Sequence, residues 1–210
     1  MLEHVPSWLG VLMRNLRAGH EKLVVARRGI ALAEQRIELK SPAFGDGQRL
    51  PIRFTADGEG ISPPLIWGDV PASTRSLVLI VADPDAPTPN PLVLAVVMNI
   101  PANQRELREG EIAADGRGDN QGQDVGRNSY FSEGWLPPDP PTGHGDHDYV
   151  FQLFALGIVP EIRPNAGRGD VATAISGHVL GTGLLFETYS REASEVNDVQ
   201  SGDVATAPAT

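Results

Sequence analysis

The chain has 210 residues, 40% of them apolar, with 23 Gly, 18 Pro and a formal net charge of −10. That length suits one domain with a full core, and the glycine and proline content favours turns and short strands over a helical bundle. The acidic balance excludes nucleic acid as a main partner, because phosphate binding needs a basic face; the absence of cysteine excludes disulfides, thiolate nucleophiles and cysteine-ligated zinc.

Residues 1–36 read as an N-terminal helical arm. Pro6 suits a first helical turn. Leu9, Leu12 and Leu16 share one helical face, with Val24 as its extension past Gly19. Between Met1 and Arg28, five basic residues (Arg14, Arg17, Lys22, Arg27, Arg28) against two acidic ones (Glu3, Glu21) make this arm basic in an acidic protein. The apolar face is expected to pack on its own domain or across a homodimer. The alternative is docking on a partner or a membrane surface, as basic amphipathic helices do. Glu3 and His4 come first, the apolar stretch Trp8–Met13 is short, and Arg14 and Arg17 follow it, which is not the order of a signal peptide. No apolar run approaches the roughly 18 residues of a membrane span. The expected location is the cytoplasm, with no transmembrane segment.

From Ile37 to Arg191 short apolar runs alternate with turn signals, as in an all-β domain. Residues 76–82, 92–100 and 149–156 are continuous apolar runs of strand length, so they are expected to be covered on both faces. Polar, Gly-rich loops join them, the longest at 114–123. Within 169–186 a second helix is expected. Asp170 is its cap, and Val171, Ala174, Ile175, His178 and Val179 share its apolar face. On that face His178 reads as a core or interface histidine. Residues 184–190 read as a last strand. The tail 192–210 has hardly any large apolar residue and is expected to be an acidic, disordered segment.

The chemistry gathers in two loops. Asp139-Pro-Pro-Thr-Gly-His-Gly-Asp-His147 delivers two histidines to the mouth of an apolar strand, and Asp83-Pro-Asp-Ala-Pro-Thr-Pro89 ends another. Stiff polar loops at strand ends suit a small-ligand pocket. His144 and His147, with Asp146 and Asp148 interleaved, carry metal-binding groups. On a loop that spacing does not force the groups to converge, so no metal or other cofactor is assigned. In a proline-fixed loop, Asp83 or Asp85 more often caps backbone N–H groups than forms an acid–base pair. Ser76, Ser129 and Ser132 sit in no nucleophile frame. The chain therefore reads as a binding protein and not an enzyme.

Several blocks, in order, resemble the phosphatidylethanolamine-binding protein family in its bacterial Raf-kinase-inhibitor-like branch. They are Gly58-Glu-Gly-Ile-Ser-Pro-Pro-Leu-Ile-Trp67, Asp83-Pro-Asp-Ala-Pro87, Asn99-Ile-Pro101, Gly126-Arg-Asn128, Pro140-Pro-x-Gly143 with His147-x-Tyr-Val-Phe151, Gly177-His-Val-Leu180 and Thr188-Tyr-Ser-Arg191. The resemblance spans about residues 40–191. It implies a mostly β fold, an antiparallel β-sandwich with a shallow anion pocket at one end. Carried over by position, the pocket residues are Asp83, Asp85, Pro87, Leu94, Pro140, Pro141, His147 and Tyr149. It also implies a phosphate, phosphorylated head group or similar small anion as ligand, and a regulated protein partner such as a kinase or protease. His147 is expected to donate to a phosphate oxygen, with Asp83 or Asp85 orienting its ring.

Three departures from the family frame bear on that pocket. Leu94 stands where the frame Pro-Leu-Val-His places a second histidine, Asp148 follows the signature histidine in place of Arg, and Glu187 replaces the Gly of Gly-Thr-Tyr-x-Arg. Together they predict a poorer anion site. An interaction protein with a degenerate pocket, acting through its surface and its basic arm, is the alternative.

Overall fold

A computed structural model describes residues 7–30, 35–113, 124–163 and 165–191. In chain order these hold α1 (Ser7–Met13), β1 (Gln35–Arg36), β2 (Leu39–Lys40), β3 (Leu65–Trp67), β4 (Ser76–Asp83), β5 (Leu92–Pro101), β6 (Glu106–Leu107), β7 (Asp124–Val125), β8 (His147–Leu156), α2 (Arg168–Ile175) and β9 (Val179–Tyr189). The fold is mostly β, in two sheets ordered β1-β9-β8-β4-β5-β7 and β2-β3-β6.

The three unbroken apolar runs form the centre of the larger sheet, and both of their faces are covered. Side chains alternate across a strand. Leu77, Leu79, Val81, Tyr149, Phe151 and Leu153 therefore face the smaller sheet, among Phe54, Leu65 and Trp67. Val78, Ile80, Phe154 and Leu156 face the other way, against α2 and against Val24 and Ile30 of the N-terminal segment. Each such side chain, once fully buried, contributes roughly 1.5–3 kcal/mol.

Three expectations are corrected. The large sheet is mixed, not purely antiparallel, because β1 runs parallel to β9 through Gln35↔Gly181 and Arg36↔Thr182. Gly181 and Gly183 leave room for this: a Cβ at either would meet the Gln35 or Ile37 carbonyl at 3.1 or 3.0 Å. The second helix ends at Ile175, and β9 already begins at Val179. Gly177, at φ 78°, adopts the left-handed conformation that terminates helices, so His178 lies in an exposed turn and not on an apolar helix face. Finally, of the Leu9–Leu12–Leu16 stripe only Leu9 is half-buried, and Leu12 and Leu16 do not pack on their own domain. Leu12 is 73% and Leu16 58% exposed, because α1 ends at Met13 and its close contact is made by Gly10. A Cβ there would collide with the Thr142 carbonyl oxygen. The loop 114–123 and the tail 192–210 lie outside the described residues. Among the described residues no helix is long and apolar enough to cross a membrane.

Candidate functional site

Strand register brings the two signature loops together. β4 and β8 are antiparallel, so the end of β4 meets the start of β8, with Ala82 opposite Val150. β5 starts opposite the same end, with Asp83 opposite Leu92. Asp83, Pro87, Leu94, Pro140, Pro141, His147 and Tyr149 therefore line one cavity, together with Asp139 and Leu92. Its volume is about 20 Å³. That is room for about one water and too little for a phosphate.

Asp85 is the one expected pocket residue outside this lining. Its carboxylate turns away, accepting the Asp148 N–H (2.8 Å) and pairing with Arg17 (2.6 Å). Asp83 plays two parts. Its Oδ1 accepts the Asp85 N–H at 2.8 Å, the turn-capping role expected of this loop, and its Oδ2 lies 2.8 Å from His147 Nδ1.

The histidines form a buried chain. His147 Nε2 lies 2.7 Å from His144 Nδ1, and His144 Nε2 lies 2.8 Å from the Met13 carbonyl oxygen. The hydrogen bonds themselves assign the protons. A carbonyl only accepts, so His144 carries its proton on Nε2 and accepts at Nδ1. His147 must then donate from Nε2. The bond to Asp83 then needs a third proton, one more than two neutral imidazoles supply. Burial and the neighbouring His147 pull His144 below the usual imidazole range, in keeping with a neutral ring.

Both ring nitrogens of His147 are engaged inside the protein, so it has no proton to offer a ligand in this arrangement. The Tyr149 hydroxyl is buried and has no hydrogen-bond partner among the described residues. Burial and the Asp83 carboxylate push its pKa well up, so it stays a donor.

Sequence reasoning missed the part played by the arm. Arg14 donates to the Gly143 carbonyl and Arg17 to that of Asp146. The Ala18 and Gly19 N–H groups donate to Ala86 and Pro84, and Lys22 to Pro89. His20 lies 3.0 Å from Asp148. The arm thus straps both signature loops from outside. Asp148, read in the sequence as a charge reversal at the pocket, is an anchor for this strap. His20, Asp85 and Asp148 also place three potential metal ligand atoms within 4.8 Å of one another, but Arg17 and the Asp148 N–H already hold the Asp85 carboxylate. The other wall of the cavity is fixed by Arg191, which bonds Asp57 (2.6 Å), the Pro140 carbonyl (3.1 Å) and Asp139.

A family model described as phosphatidylethanolamine-binding protein matches residues 40–190. A UPF0098 protein of Methanothermobacter thermautotrophicus is 42% identical over 155 residues, covering 74% of this chain and 99% of the relative. Among solved structures, CT736 from Chlamydia trachomatis superposes with a TM-score of 0.67 at 31% identity, covering 75% of this chain and 99% of that one. YbcL of E. coli, described as a member of the mammalian PEBP family, gives 0.67 at 28% identity, covering 74% and 98%.

Proposed function

Because the chain belongs to the phosphatidylethanolamine-binding protein family, we propose that it is a cytoplasmic, non-enzymatic binding protein. It takes a small ligand, phosphate or an anionic head group, between its signature loops and regulates a protein partner such as a kinase or protease. The observation that carries this reading is the Tyr149 hydroxyl, buried and without a partner in the wall of the cavity that Asp83 and His147 also line. A buried donor left unpaired costs about 1–3 kcal/mol, and a ligand oxygen would satisfy it. The arm acts as the closure. While the Met13 carbonyl holds His144, the His147 Nε2–H points into protein; with the arm lifted, His144 is free to turn and release that donor to a ligand.

Calorimetric titration of inorganic phosphate and phosphoethanolamine tests this. The full chain should bind weakly, and a chain beginning at His20 should bind at least tenfold more tightly. Gly10→Val, which drives α1 off Thr142, should give the same gain if the truncated chain is unstable. Tyr149→Phe should lose roughly three- to tenfold, the worth of one neutral hydrogen bond. Equal, weak affinity in all four proteins would defeat the assignment.

Leu94 gives a second test. It occupies the frame position of a histidine and lines the cavity. Leu94→His should strengthen phosphate binding about tenfold to a hundredfold, as one charge-assisted bond of roughly 1.5–3 kcal/mol would. The gain should grow below about pH 6.5, where an unperturbed imidazole is charged. Titrations at pH 6 and pH 8 that give the same affinity for both proteins would place the anion elsewhere.

A second reading, an interaction protein working through its arm, is favoured by the exposed Trp8, Val11, Leu12 and Leu16. These would form a homodimer contact or dock a partner. Light scattering should then show a dimer for the parent chain and a monomer for Leu12→Glu. A monomeric parent would remove the homodimer.

A further inference from the structure

A cleft of about 520 Å³ lies beside the strapped cavity, outside the histidine chain. Its volume falls within the range of small-molecule sites. It is lined by the stiff segment Pro89-Asn-Pro91, by residues Arg127 to Phe131 and by Gly167 and Arg168.

The charges in it do not balance. Arg168 has a guanidinium nitrogen, Nη1, that is buried without a hydrogen-bond partner among the described residues. Its burial and the nearby Arg27 both disfavour its charge. Arg127 stands 3.9 Å from Asp170, but that carboxylate already bonds Arg163 at 3.0 Å and the Gly167 N–H at 3.3 Å. Among the described residues, Asp170 is thus shared by Arg163, Arg127 and the Gly167 N–H, while Glu133 stands opposite Arg127 across an isolated bridge. Desolvated charge without a counter-ion is costly, so an anion would complete the arrangement.

An apolar platform adjoins the charge. Phe131 is 79% exposed and adopts φ 60°, a left-handed conformation that is costly for a bulky side chain. The turn beneath holds it there: Asn128 Oδ1 accepts the N–H groups of Tyr130 (2.9 Å) and Ser132 (3.3 Å). The Arg127 guanidinium lies 5.9 Å from the Phe131 ring centroid, within cation–π range. The ring is therefore placed next to the basic groups and open to solvent.

We propose that this cleft is a second ligand site, for a small organic anion whose phosphate or carboxylate meets Arg127 and Arg168 while its flat or apolar body lies on Phe131 and the proline wall. The site is separate from the Tyr149 cavity, so the two occupants are distinct.

Calorimetric titration of the full chain with phenyl phosphate, inorganic phosphate and benzyl alcohol tests it. Phenyl phosphate should bind more tightly than inorganic phosphate, and benzyl alcohol should not bind. Arg168→Gln and Arg127→Gln should each weaken phenyl phosphate about tenfold to a hundredfold, as loss of one charge-assisted bond does. The Arg127 side chain is at the surface, so its variant remains informative if Arg168→Gln proves unstable. Phe131→Ala should bring phenyl phosphate down toward inorganic phosphate and leave the latter unchanged. Tyr149→Phe should leave the binding of phenyl phosphate unchanged. The site is overturned if phenyl phosphate fails to bind, if benzyl alcohol binds equally well, or if Tyr149→Phe removes binding that both arginine variants retain.

Discussion

Replacing Glu187 with Gln should leave stability nearly unchanged at pH 5 and raise it by up to about 4 kcal/mol at pH 9. Glu187 lies on β9 opposite Tyr149, has no exposed surface, and neither of its carboxylate oxygens has a hydrogen-bond partner among the described residues. Burial first, and then the Asp46 carboxylate, push its pKa up to about 8. The sign follows from linkage. In the unfolded chain this group ionises near pH 4.5, whereas in the folded chain it keeps its proton until about pH 8. Folding therefore takes up a proton between those values, and stability falls as pH rises through that window, then levels off above it. Gln is neutral throughout and escapes the loss. For a domain of this size the gain corresponds to roughly 8–16 °C in melting temperature. Urea melts of both chains at pH 5, 7 and 9 would read it directly. Parallel stability curves across that range would mean that the carboxyl ionises in the folded protein at its ordinary pH.

The extent to which this fold was legible depended on run length. Residues 76–82, 92–100 and 149–156 announce themselves because a strand covered on both faces has no polar interruption, and the structure extends each by only one or two residues. The two-residue strands β1, β2, β6 and β7 are too short to carry a period, and the parallel pairing of β1 depends on two glycines far along the chain, Gly181 and Gly183. Local spacing also misled. Val179 keeps helical phase with Val171 and Ile175, but Gly177 ends the helix first. At the site, motif blocks brought Asp83, His147 and Tyr149 together, because each sits at a strand end whose register is fixed by the core. The partner of His147 was not legible as such. His144 lies three residues away on a loop, where spacing does not dictate direction, and so suggested a metal as readily as a hydrogen bond. The strap was illegible for a stronger reason. His20 and Asp148 are separated by 128 residues, and nothing in either local sequence names the other.

Asp83→Asn should cost less than about 1 kcal/mol, while Asp83→Ala should cost about 3–5 kcal/mol, the usual result of breaking a buried charge pair. The difference tests the proton count. In the parent chain, three hydrogen bonds in series run from Asp83 through His147 and His144 to the Met13 carbonyl, and the bond at Asp83 requires a proton beyond those of two neutral rings. Asn supplies that proton from its own amide. Its Nδ2–H can donate to a neutral His147 Nδ1, while its Oδ1 still accepts the Asp85 N–H that Asp83 Oδ1 now accepts. Every bond is kept, and the extra proton is no longer needed. Ala removes both bonds made at Asp83 and leaves His147 Nδ1 without its partner in the interior. Nitrogen NMR of the histidine rings separates the cases beyond stability alone. In the parent chain both His147 nitrogens should show the protonation of a ring paired to a carboxylate. In the Asp83→Asn variant no such proton remains, so Nδ1 of His147 should carry the signature of a bare acceptor. If Asp83→Asn proves as damaging as Asp83→Ala, the chain does not run through a shared proton, and the arm's hold on His144 could not set which way His147 donates.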